Sequence, residues 1–199
     1  STLLKLLLGF EQPSQGKVRY DGRNINSMDA HSLRRKLGVV LQDGKLIAGS
    51  IYDNITITST GATMKNVNAV VEAVGLKPDI DRMPMGLQTV LSESGNTISG
   101  GQQQRILIAR AIMNHPQVIY FDEATSALDN PTQAKVCRSL DAMHATRIVI
   151  AHRLSTVRSC DRILVLNNGV IQEEGNFESL MAQKGLFYQM AKRQIAEEG

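Results

Sequence analysis

Four polar residues stand at the ends of apolar runs, and their chemistry is complementary. Val39-Val40-Leu41 runs into Gln42, Val118-Ile119-Tyr120-Phe121 into Asp122 and Glu123, and Ile148-Val149-Ile150-Ala151 into His152. Short Val- and Ile-rich runs that do not alternate with polar residues read as strands of a parallel sheet covered on both faces. Open parallel sheets place their ligand sites at the carboxyl ends of the strands. An amide, two carboxylates and an imidazole delivered to one such edge read together as a catalytic site, although each alone is an ordinary strand end. A second group is Ser99-Gly100-Gly101-Gln102, at the start of a helical stretch from Gln102 to Met113. Its glycines expose backbone N–H groups at a helix N-terminus, which makes an anion site. Ser1 and Thr2 precede the leucine-rich stretch Leu3 to Leu8 and read, by themselves, as a simple helix cap.

The elements that must position these residues emerge from the same patterns. Strands are predicted over Gly38 to Leu41, Val118 to Phe121, Arg147 to Ala151 and Arg162 to Leu166, all in one parallel sheet. A second helix is predicted from Thr132 to Met143, with Pro131 near its start, where a missing N–H is harmless. The alternation argues for an α/β layered domain. Between Gln42 and Ser99 the character changes to Gly, Asn, Thr, Met and Pro, with an amphipathic helix from about Met64 to Val74. This reads as an inserted, mostly helical subdomain. The tail from Phe177 to Arg193 reads as two helices broken near Lys184-Gly185, and Gly16 to Gly22 as a β-turn segment.

Composition narrows the function classes. With 199 residues, a 42% hydrophobic share and a net charge of +3 scattered along the chain, one ordinary domain with a sizeable core is expected. That charge does not argue for a nucleic acid partner. No stretch approaches the roughly 18 apolar residues of a membrane span, so a membrane connection must come through a partner or another segment. Cys137 and Cys160 are too few and too separated for a metal site or disulfide framework, and are expected to be reduced thiols.

Taken in order, the motifs resemble those of the ATP-hydrolysing domain of ABC transporters, across essentially the whole chain. Ile98-Ser99-Gly100-Gly101-Gln102 resembles the family's signature sequence, with Ile98 where Leu is usual, followed by Gln103-Gln104-Arg105. Val118 to Glu123 has the form of a Walker B strand, and Ser1-Thr2 that of the end of a Walker A loop. The resemblance implies an α/β fold: a P-loop NTPase core with a mainly parallel sheet flanked by helices, and an inserted α-helical subdomain. It implies one ATPase domain over 1–199, with 1–42 and 114–199 as α/β core and 43–113 as helical subdomain carrying the signature. The implied cofactors are ATP and Mg²⁺. Asp122, Ser1 and Gln42 would serve Mg²⁺, Glu123 would be the general base, and His152 and Gln42 would sense the γ-phosphate and attacking water. Ser1, Thr2, Gln42, Ser99, Gly100, Gly101, Gln102 and Asp129 would contact ATP, the last within the D-loop Ser126-Ala127-Leu128-Asp129. The loop glycines, the lysine and the adenine-stacking aromatic are expected upstream of Ser1. The domain is then incomplete at its N-terminus, and little hydrolysis is expected from these residues alone.

Further segments resemble the exporter branch. Gly49-Ser50-Ile51-Tyr52-Asp53-Asn54-Ile55 resembles its GSIxxNI segment, Ser92-Glu93-Ser94-Gly95 its X-loop, and Ala151 to Thr156 its AHRLST run. Val40 to Leu46 departs from the usual exporter pattern and resembles exporters of bacteriocin-type peptides. Implied partners are transmembrane domains on the same full-length polypeptide and a second ATPase domain in a head-to-tail dimer, with no nucleic acid. The implied place is the cytoplasmic face of the bacterial plasma membrane. Two alternatives are a non-transport ABC ATPase and a non-catalytic regulatory half-site. The exporter-like segments argue against the first, and Glu123, His152, Gly100 and Gly101 against the second.

Overall fold

The computed structural model describes residues 2–92, 98–122, 127–151 and 153–198. The chain divides into two units, Ser1–Ile148 and Val149–Gly199.

In the first unit, α1 (Thr2–Leu7) leads to a hairpin of β1 (Arg19–Tyr20) and β2 (Arg23–Asn24). The two-residue turn Asp21-Gly22 has φ of 48° and 77°, the left-handed pair that a tight hairpin needs and that Asp-Gly favours. A 3₁₀ turn and α2 (Ala30–Arg35) come next, the helix capped by the Asp29 carboxylate, and then β3 (Leu37–Val40). β4 (Gly49–Ser50) pairs antiparallel with β5 (Val90–Leu91), and between them lie α3 (Ile51–Thr56), α4 (Met64–Ala73) and α5 (Lys77–Arg82). After α6 (Gly100–Ile112) come β6 (Val118–Asp122), α7 (Asn130–Asp141) and β7 (Thr146–Ile150), whose last two residues begin the second unit.

The sheet order is β3-β6-β7, and β3 runs parallel to β6 in the register Val40↔Phe121. β6 is covered on both faces, as its unalternating sequence predicts: Ile119, Tyr120 and Phe121 are all buried. β7 is less covered, with Thr146 and Arg147 exposed and Ile148 half-buried. Helix α6 lies against β3, and Gly38 permits the approach: a Cβ there would stand 2.6 Å from the Ala111 carbonyl oxygen. On its other sides α6 packs on α3 and α4 through Ile51, Ile55, Val67, Val71, Ile106 and Ile112.

In the second unit, α8 (Leu154–Val157) precedes the hairpin of β8 (Ile163–Asn167) and β9 (Val170–Gly175). α9 (Phe177–Gln183) and α10 (Leu186–Glu198) complete it, broken as expected at Lys184, which is left-handed at φ 54°. Ile163, Val165, Leu180 and Phe187 form the core, with Phe177 edge-on to Phe187 at 5.7 Å. The structure corrects the fourth predicted strand. β8 does not lie in a parallel sheet covered on both faces. It pairs antiparallel with β9 and buries alternate residues, leaving Leu164 and Leu166 exposed. Ile163 to Leu166 is apolar at every position, so its periodicity could not reveal a one-sided strand. The signal overlooked was Asn168-Gly169, whose φ values of 51° and 77° make the hairpin turn.

Candidate functional site

The parallel register of β3 and β6 brings the residues just beyond Val40 and Phe121 to one edge. Asp122 is the last residue of β6 and is buried, at 9% exposure, an unusual position for a carboxylate. Gln42 lies two residues beyond β3 on an exposed turn closed by the Gly44 N–H bonding to the Leu41 carbonyl. The sheet therefore brings Gln42 and Asp122 to the same carboxyl edge. Glu123 is the next residue in the chain; Glu123, Ser1, His152 and D-loop Ser126 lie outside the described residues, as do Glu93, Ser94 and Gly95. Among the described residues no three His, Cys, Asp or Glu side chains gather as a metal cage. A hard divalent cation would thus draw on Asp122 together with water and phosphate oxygens, a donor set that suits Mg²⁺.

Thr2, at the start of α1, is exposed. α1 is tied to β6 through two phenols. The Tyr20 hydroxyl donates to the Leu7 carbonyl at 2.7 Å and is itself hydrogen-bonded to the Tyr120 hydroxyl. Burial raises the pKa of both phenols, so each holds its proton.

The first turn of α6 forms a capping box. The Gln102 N–H donates to Ser99 Oγ at 3.2 Å, and the Ser99 N–H donates to Gln102 Oε1 at 2.9 Å. This box does not use the N–H groups of Gly100 and Gly101, the first two of the helix, which are the donors an anion would meet. A Cβ on Gly101 would sit 3.3 Å from the Ala127 carbonyl oxygen, so the D-loop segment closes over this turn. The Ala127 N–H donates to Gln104 Oε1 at 2.9 Å, fastening that segment to α6. Asp129 caps α7, its Oδ1 accepting from the Thr132 N–H at 2.8 Å. That amide, the Thr132 hydroxyl and the charge of Arg105 hold the Asp129 carboxyl below the usual carboxylate range.

The structure thus gathers Ser99, Gly100, Gly101 and Gln102 beside the segment leading to Asp129. It also shows supporting bonds that the motifs did not reveal. Gln102 Nε2 donates to Asp79 Oδ1 at 2.9 Å. Asn54, fully buried, donates to the carbonyls of Ile47 and Ser50 and accepts from the Ile47 N–H, fixing the segment downstream of Gln42. Arg110 of α6 reaches the Asn54 side chain at 2.7 Å and its carbonyl at 2.8 Å. Asn54 was visible within an exporter-like segment, but nothing local marked its partner 56 residues away.

Residues 1–126 match the family of ABC transporters. The chain is 42% identical over 198 residues to a leukotoxin export ATP-binding protein of Aggregatibacter actinomycetemcomitans, covering 98% of this chain and 28% of that protein. It is 40% identical over 192 residues to a mitochondrial iron-sulfur clusters transporter of Saccharomyces cerevisiae, covering 94% and 28%. Among solved structures, a bacterial Atm1-family ABC exporter with ATP bound matches with a TM-score of 0.93 at 38% identity, over 97% of this chain and 34% of that one. The chain therefore spans under a third of the curated relatives it matches.

Proposed function

Because the chain belongs to the ABC transporter family, we propose that it is the ATP-binding and ATP-hydrolysing domain of an exporter, a bacteriocin-type peptide being the cargo class. The observation that carries this reading is the β3–β6 register, which sets Gln42 and the buried Asp122 at one edge immediately before Glu123. Ser1, Gln42 and Asp122 would hold Mg²⁺. When bound, that cation neutralises charge on the phosphates, as in other phosphoryl-transfer sites. Glu123 accepts the proton of the attacking water, oriented by Gln42, and His152 contacts the γ-phosphate. Thr2 and the start of α1 bind phosphate through backbone N–H groups.

The amides of Gly100 and Gly101, with Ser99 and Gln102, face the ATP held by a second domain in a head-to-tail dimer, and Asp129 lines that interface. The relatives are named for export and transport, which supports transmembrane domains as partners and the cytoplasmic membrane face as location. Residues 43–113 serve as the helical subdomain that meets those partners. The direct test is Glu123→Gln in the full-length transporter. Hydrolysis lost with ATP-dependent association retained supports the reading; turnover equal to wild type overturns Glu123 as base.

A further inference from the structure

We propose that Asp79 is a positioning residue for the signature segment, holding Gln102 and Arg105 so that the Gly100 and Gly101 amides are set before a phosphate arrives. The proposal rests on the ATPase reading above and assigns a residue outside every motif.

Asp79 sits in the first turn of α5, whose Leu76–Lys77 start comes just after the end of α4. Its two oxygens are divided between two residues of α6. Oδ1 accepts from Gln102 Nε2 at 2.9 Å, and Oδ2 lies 2.9 Å from Arg105 Nη1. Gln102 is thereby used at both ends, because its Oε1 already accepts from the Ser99 N–H. Turning its side chain away would open the capping box, so besides facing the ATP of the second domain it holds the turn. Arg105 completes the frame, donating from Nε to the Gly101 carbonyl at 3.1 Å and from Nη1 to the Gly75 carbonyl at 2.7 Å.

Burial separates this ion pair from the others among the described residues. The side chains of Arg105 and Asp79 are 13% and 21% exposed, against 45% and 55% for Lys77–Asp81 and 42% and 63% for Lys135–Glu72. Exposed pairs contribute little, whereas shielded charge-assisted bonds are the strong ones. The charge balance also fits an anion site. A bare carboxylate beside a helix N-terminus would repel phosphate, and Arg105 cancels it while Asp79 keeps its grip on Gln102.

The test uses the full-length transporter with three variants: Asp79→Ala, Asp79→Asn and, as control, Asp81→Ala, whose carboxylate meets Lys77 on the exposed face of α5. Steady-state hydrolysis against MgATP concentration and hydrogen exchange over residues 98–106 without nucleotide are measured. Asp79→Ala is expected to raise KM about tenfold with kcat within about threefold, from loss of two charge-assisted hydrogen bonds, one of them the ion pair with Arg105. It should also speed exchange in the first turn of α6. Asp79→Asn, which keeps an acceptor for Gln102, should return both close to wild type, and Asp81→Ala should change neither. Unchanged KM and exchange in Asp79→Ala overturn the proposal. So does faster exchange spread evenly over the domain, which would mean that Asp79 supports the fold and not this turn. A wild type that binds ATP without hydrolysing it sinks the ATPase reading instead, and the exchange comparison still decides the role of Asp79.

Discussion

Replacing Asn54 by Ala should destabilise the chain by about 3 kcal/mol, through the hydrogen bonds it would lose. Its amide donates to the Ile47 and Ser50 carbonyls, each at 3.0 Å, and accepts from the Ile47 N–H at 2.9 Å and Arg110 Nη2 at 2.7 Å. Three neutral bonds at about 1 kcal/mol and a charged one at about 2 set an upper bound near ~5 kcal/mol. Ile47 is 38% exposed, so water recovers part of that when the side chain is gone. The Arg110 guanidinium, its pKa lowered by burial, is less easily rehydrated. Equilibrium urea unfolding of Asn54→Ala, Arg110→Ala and the double variant measures both the total and the coupling. The two should couple by at least about 1 kcal/mol, and the Ile47 amide should exchange faster in both single variants. A loss below about 0.5 kcal/mol for Asn54→Ala, the range of ordinary surface substitutions, would refute this account of Asn54. So would strict additivity with Arg110→Ala.

The tyrosine pair gives an asymmetric expectation. Tyr20→Phe orphans the buried Tyr120 hydroxyl and costs about 1–3 kcal/mol, whereas Tyr120→Phe leaves the Tyr20–Leu7 bond in place and costs about 1 kcal/mol or less, as urea unfolding will show. Both phenols have raised pKa values, so their contribution is complete below the ordinary phenol value of ~10 and is lost as pH rises beyond it; an alkaline melting series should flatten in the double Phe variant. Asp53 and Asp129 show the opposite sign. Ser50 bonds lower the first and Thr132 bonds the second, so their contribution is present above the usual carboxylate value near ~4 and disappears as pH falls below it. Asp53→Asn with Asp129→Asn should make the acid melting curve shallower. In the second unit, the Glu173 carboxylate accepts from the Leu186 and Phe187 N–H groups at the start of α10. Glu173→Ala should cost about 1 kcal/mol, as loss of a helix cap does, with faster exchange confined to the first turn of α10.

Legibility in the sequence was local. Unalternating apolar runs located β3, β6 and β7 to within a residue or so; burial on both faces explains that imprint for β6, whereas β7 is only half-buried. The start of α6 at Ser99 was readable because a Ser before two glycines marks a helix N-terminus locally, although the reciprocal box with Gln102 was not read. The misread run, Arg162 to Leu166, failed because a one-sided strand with apolar residues on both faces looks the same as a buried one. Closure across distance stayed hidden. Gln102 meets Asp79 across 23 residues, Arg110 meets Asn54 across 56, and Tyr20 meets Tyr120 across 100. No periodicity encodes such pairs, since each is made by the fold bringing two separate elements together.

These distant closures converge on α6. At its N-terminal turn Asp79 holds Gln102 and Arg105, while Gln104 fastens the segment leading to Asp129. At mid-helix to C-terminus, Arg110 grips the segment downstream of Gln42, and Gly38 lets the last turn touch β3. Polar bonds thus fix its first turn and Arg110, and backbone contact sets its last turn against β3. These directional bonds add to the apolar packing against α3 and α4 and define the position of α6 along its axis. That is why Asp79, Asn54 and Arg110, none of them placed to touch a nucleotide, are as much a part of the site as the residues that do.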